Sequence, residues 1–158
     1  MPIPKFRSRC TYLTILILFA PNLHSASVAK VNPPITNCFI RVDNPHLSDS
    51  IKRHRGIDAV KVNAISKCNQ EIFRLRFTIE IYKKGFFRDY RVAMQTLKLD
   101  GFIPKKKEIA HRGTWRKCDT DKVSNYYGIA YSEALVQGKK MRTLPVMTEK
   151  IISLPCGT

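Results

Sequence analysis

From Phe73 to Ile81, the residues Phe73, Leu75, Phe77, Ile79 and Ile81 alternate with Arg74, Arg76, Thr78 and Glu80. This is the period-two pattern of a strand with one buried face. Ahead of it, Val60, Val62 and Ala64 alternate with Lys61 and Asn63. Ser66 to Gln70 reads as a connection, so these two segments are expected to be neighbouring antiparallel strands. Lys83-Lys84-Gly85 breaks the pattern, and Tyr90 to Lys98 resumes it with β-branched and aromatic residues. Asp100-Gly101 and Pro104 to Lys107 read as turn and loop, because Gly and Pro interrupt regular structure and adjacent like charges favour solvent. Tyr126 to Val136, Gln137-Gly138-Lys139-Lys140 and Met141 to Val146 have the layout of a β-hairpin. Met147 to Leu154 carries apolar residues on both faces and is expected to be an interior strand. Helix is confined to single turns, at Asp49 to Arg55 and at Thr120 to Asn125. About seven short strands joined by turns predict an antiparallel sandwich or barrel, with the immunoglobulin-like sandwich the leading form.

The first 29 residues change the setting. A basic start (Lys5, Arg7, Arg9), an apolar run from Tyr12 to Ala20 and the small residues Ser27-Val28-Ala29 read as a secretory leader cleaved after Ala29. The apolar run is too short for a membrane anchor, which needs roughly 20 residues. Residues 30–158 are then expected to be one secreted, extracellular domain. Cleavage removes Cys10 and leaves Cys38, Cys68, Cys118 and Cys156, an even set suited to an oxidising compartment. Four cysteines allow three pairings. Cys38 with Cys68 and Cys118 with Cys156 is favoured, since each pair ties a terminal strand or loop to the body of the sheet. Each bridge would contribute about 3–4 kcal/mol in the chain-entropy model.

Beyond the leader stand twenty-five Lys and Arg against twelve Asp and Glu, a formal charge of +13. That charge favours an anionic polymer or cell-envelope surface as partner, with simple solubility as the alternative. Three clusters are the expected contacts: Lys83, Lys84, Arg88 and Arg91; Lys105, Lys106 and Lys107; and Lys139, Lys140 and Arg142. A protein partner paired through a strand edge is the competing possibility.

The order of features resembles small secreted β-domain proteins of actinobacteria. These features are Cys38, Asn44-Pro45-His46-Leu47-Ser48, a strand ending at Cys68, the alternating strand, Cys118, Tyr126-Tyr127-Gly128-Ile129-Ala130 and a final strand into Cys156-Gly157. The resemblance spans nearly all of the chain after the leader. It implies an exported, two-disulfide, immunoglobulin-like β-sandwich, and implies no reaction.

No enzyme motif is present: there is no Gly-x-Ser-x-Gly, no His-Glu-x-x-His and no phosphate-binding glycine loop. The triplets His54-Arg55-Gly56 and His111-Arg112-Gly113 suggest a small nuclease with one histidine as base and the other as acid. Both are expected in loops as solvated side chains, so no catalytic residue is assigned. His46 is expected to bond a backbone carbonyl in a turn. Asp119-Thr120-Asp121 lacks the Gly and the bidentate Glu of a calcium loop, and the cysteines contain no Cys-x-x-Cys pair, so neither metal nor cofactor is expected. Trp115 is expected to pack against a disulfide. Of Phe86 and Phe87, one phenyl is expected to enter the core and the other to cap it. Their basic neighbours would otherwise suit an anionic membrane surface or a partner contact.

Overall fold

The computed structural model describes residues 38–158, so the leader assigned to residues 1–29 lies outside the described residues. In order, the elements are β1 (Cys38–Val42), β2 (His46–Leu47), α1 (Asp49–Arg55), β3 (Ala59–Lys61), β4 (Ala64–Cys68), β5 (Ile72–Lys83) and β6 (Tyr90–Ile103). There follow β7 (Glu108–His111), β8 (Trp115–Lys117), β9 (Thr120–Val136), β10 (Lys139–Arg142), β11 (Val146–Met147) and β12 (Ile152–Gly157). Every described strand pairing is antiparallel, and the fold is all-β as the alternation predicts. Disulfides join Cys38 to Cys68 and Cys118 to Cys156, the expected pairing.

One large sheet runs β10-β9-β5-β6, and two three-stranded sheets, β1-β4-β7 and β2-β3-β8, contribute to the same core. Leu75, Phe77, Ile79 and Ile81 of β5 are almost fully buried, as are Val60 and Ala64 of the small sheets and Val62 in the link between them. Each of the large side chains stabilises the fold by about 1.5–3 kcal/mol on burial. The layers close at Gly128 of β9, where a Cβ would lie 2.7 Å from Val62 Cγ1. The His111 ring of β7 meets the Phe77 ring edge-on at 5.9 Å.

β9 is the spine of the large sheet. β5 lies along one side of it, and the chain returns along the other side in three pieces, β10, β11 and β12. Two buried threonines carry the ladder across the gaps. Thr143 donates its N–H to the Ser132 carbonyl while its Oγ1 accepts from the Ser132 N–H, and Thr148 does the same with Gly128.

Several expectations are overturned. Phe73 does not continue the inward row of β5. A bulge at Arg74, with φ of +51°, turns Phe73 outward and buries Ile72 instead. Ser66 to Cys68, expected within a connection, belong to β4, which pairs with β1 and β7. The segment from Val60 to Ala64 is divided between β3 and β4, neither of which is a ladder neighbour of β5. Asp100-Gly101 is an irregularity inside β6, not a turn. Thr120 to Asn125 is strand, not helix, because pairing with β12 overrides its polar composition. Met147 to Leu154 divides between β11, a loop and β12, and β12 is half exposed with β9 as its described neighbour, so it is no interior strand.

Candidate anion-binding surface

β5 spans roughly 33 Å from Phe73 to Lys83 at about 3.3 Å per residue, and its ends carry the charged clusters. Register sets where each cluster falls. Lys83 lies opposite Tyr90 and Tyr126, so Lys83, Lys84, Arg88 and Arg91 gather around the β5–β6 hairpin tip. Phe73 lies opposite Phe102 and Leu135, so the turn with Lys105 to Lys107 and the start of β10 with Lys139 and Lys140 share the other end. The three clusters therefore form two groups, not one site.

At the Phe73 end the structure adds three cations that a search for local basic runs does not find: Arg74, Arg76 and Lys98. All three are exposed, and none carries an ion pair among the described residues. Arg76 and Lys98 are directly opposite in register on the outer face of the sheet. Like charges so placed repel, and on its other side Arg76 lies opposite Glu133 of β9, with no ion pair formed between them. Arg74, Arg76, Glu133, Leu135 and Lys140 line a shallow hollow of about 240 Å³. The only acid lining it, Glu133, already receives Lys140 at 3.1 Å and Arg142 at 4.0 Å. Arg142 also lies over the Tyr131 ring at 4.2 Å.

Backbone strain falls at this same end. The described non-glycine residues with positive φ are Arg74, Lys106 and Gln137, and each lies beside the hollow or in one of the two adjoining turns. Such conformations cost about 1–3 kcal/mol each and collect where a side chain must be aimed. The Arg74 bulge has that effect, because it frees two arginines close in sequence to line one hollow. Phe73 and Phe102 stand beside them as an exposed aromatic pair with centroids 5.4 Å apart.

At the hairpin tip the cations are engaged. Lys84 Nζ lies 3.3 Å from Asp89, and Arg91 Nη1 donates to Glu80 at 2.9 Å. Lys83 Nζ donates to the Thr158 carbonyl, and Arg88 lies over the Tyr90 ring at 5.2 Å. Glu80 is buried although it points to the outer face, and it also accepts from the hydroxyls of Tyr82 and Tyr131. Its hydrogen bond raises the Tyr82 phenol above the usual tyrosine value. Tyr127, stacked on Tyr82 at 5.2 Å, is pushed up to about 12 by burial and by its bond to Asp89. The Tyr127 hydroxyl in turn holds the Asp89 carboxyl below its ordinary range.

The histidines and the other large aromatic residues take different places. His111 is buried, not solvated in a loop. Its Nδ1 accepts from the Gly113 N–H, so Nε2 carries the proton and donates to the Gln95 carbonyl at 3.1 Å. Burial lowers its pKa. With both ring nitrogens bonded to backbone, it offers no free acid or base. His54 is exposed in α1, not in a loop, and no hydrogen bond or ring contact joins it to His111. His46 Nδ1 lies 3.2 Å from the Asn44 carbonyl, the expected contact, although the residue opens β2 and does not sit in a turn. Trp115 is half-buried beneath Arg55, 5.0 Å from its ring centroid, and is not a core residue. Neither Phe86 nor Phe87 enters the core: they are 95% and 94% exposed. Among the described residues no group of acidic, His and Cys side chains has the arrangement of a metal site, and no helix is long and apolar enough to cross a membrane.

The chain matches no family model, no curated protein and no solved structure.

Proposed function

We propose that this protein is a secreted, non-catalytic binding module that attaches to anionic polymers through the Phe73 end of its long sheet. The observation that carries this reading is the hollow of Arg74, Arg76 and Lys140, with Lys98 beside Arg76 and one already engaged acid among them. Lys105, Lys106, Lys107 and Lys139 extend the positive field at the same end. The planar guanidinium of an arginine donates two parallel hydrogen bonds to a sulfate, phosphate or carboxylate group, and the lysines act as point charges around it. Export is supported by the leader pattern and by two disulfides, which persist in oxidising compartments.

Elution of the oxidised protein from heparin against salt tests the reading. Late elution is expected, with loss of retention when Arg76 and Lys98 are both replaced by Gln and a smaller loss when Lys105, Lys106 and Lys107 are. Equal elution of all three proteins would sink it. A second reading rests on β6, a fourteen-residue strand whose only ladder partner among the described residues is β5. Apart from Gln95, whose carbonyl accepts from His111, its other edge has no ladder partner among the described residues and is available to a protein strand. Early elution of every form, together with self-association or strand capture, would move that reading to first place.

A further inference from the structure

The hairpin between β5 and β6 ends in Lys84-Gly85-Phe86-Phe87-Arg88-Asp89, the most exposed apolar feature among the described residues. The two phenyl rings meet edge to face with centroids 4.8 Å apart and have no cover. The loop beneath them is tightly tied. Asp89 accepts from the Gly85 N–H, from Lys84 Nζ and from the Tyr127 hydroxyl, while the Lys84 N–H donates to the Asn125 carbonyl. Gly85 is needed where it stands, since a Cβ there would collide with the Arg88 carbonyl. A loop held by so many bonds presents its phenyls in one arrangement and orders little further on contact.

We infer that this tip inserts Phe86 and Phe87 into the outer layer of an anionic lipid bilayer. Three observations favour lipid over a protein groove. The feature is convex, and a fluid bilayer accepts a convex wedge without a pre-shaped pocket. Behind the phenyls stand Tyr90, Tyr127 and Tyr82, the residue type that settles at headgroup depth. Lys83, Lys84, Arg88 and Arg91 surround them, and with Asp89 and Glu80 counted the collar stays net positive, which suits anionic headgroups. This contact uses none of the cations of the hollow, so it stands or falls separately from polymer binding.

The test uses protein purified after export in its oxidised form and vesicles of phosphatidylcholine with or without phosphatidylglycerol. The wild type is expected to co-sediment with the anionic vesicles and weakly with the neutral ones. Each phenyl is worth roughly tenfold in affinity, so Phe86→Ser with Phe87→Ser should reduce binding about a hundredfold while heparin elution stays unchanged. A Phe87→Trp variant should show blue-shifted emission that lipid-borne quenchers reduce. Vesicle binding that survives the double serine variant overturns the inference. Indole emission from the Phe87→Trp variant that ignores vesicles overturns it as well. So does a wild-type dimer that the double variant turns to monomer without any vesicle binding, which would make the tip a contact between copies.

Discussion

At the hairpin-tip end of β5, Lys84 and Arg91 are held by Asp89 and Glu80, and the exposed groups are the phenyls Phe86 and Phe87. At the Phe73 end, Arg74, Arg76 and Lys98 lack such partners among the described residues, and the backbone is strained where they stand. Both ends are basic in sequence, yet at the tip two of the four cations are spent on Asp89 and Glu80, whereas Arg74, Arg76 and Lys98 carry no ion pair among the described residues. A count of lysines and arginines is therefore a poor guide to anion binding. What matters is which cations the fold has already neutralised, because a paired surface cation has little attraction left for a third group.

The largest effect should come from reversing charge at the free end. Arg76→Glu with Lys98→Glu is expected to lower heparin affinity about a hundredfold, or about 2.7 kcal/mol, and to leave anionic-vesicle binding within twofold. Parallel losses at both targets would erase the distinction between the ends. Next is Glu80→Gln, which removes a buried acceptor of three donors. It should destabilise the fold by about 2 kcal/mol in chemical denaturation. It should also release Arg91, so that the tip end gains heparin affinity while the Phe73 end is unchanged. A variant as stable as wild type would mean that Glu80 does not organise the tip.

A smaller effect separates strain from purpose. Arg74→Gly should raise stability by about 1 kcal/mol in thermal or denaturant unfolding, because glycine adopts positive φ without the steric penalty. The same change should weaken heparin binding a few-fold. Greater stability with undiminished binding would remove Arg74 from the site. The smallest effect concerns pH. Burial holds the His111 imidazole below the ordinary histidine value of about 6.5, so the unfolded chain takes up its proton first. Stability is therefore complete above that value and declines as pH falls from it toward the lower native pKa. His111→Gln should flatten that decline in a melting series. His111 lies in neither contact, so heparin and vesicle binding by the folded protein should not change over the window. A stability that rises on acidification would contradict the placement of His111.

Part of this is legible in the sequence, and the rest is hidden for definite physical reasons. Strand alternation finds β5, and cysteine arithmetic finds both bridges, because each depends on local period or on a small number of choices. Alternation misplaces Phe73 because one bulge shifts the facing of every residue before it, and the glycine at that level, Gly101, stands in the opposite strand. Thr120 to Asn125 reads as a helical turn because its polar residues pair only through β12, which the Cys118–Cys156 bridge draws alongside. Runs such as Lys105 to Lys107 are visible as neighbours in the chain. Arg76 and Lys98 meet only across a strand pair, and no reading of adjacent residues brings them together. Phe86 and Phe87 stand out in the sequence, but their exposure depends on a core already filled by Leu75, Phe77, Ile79 and Ile81.

The sharpest test of the separation between the two ends is vesicle flotation with a short, labelled heparin oligosaccharide present at saturation. The protein is expected to float with anionic vesicles and to carry the oligosaccharide with it, since the two contacts lie roughly 33 Å apart. If heparin instead releases the protein from the vesicles, both ligands share one surface and the division between the two ends is wrong.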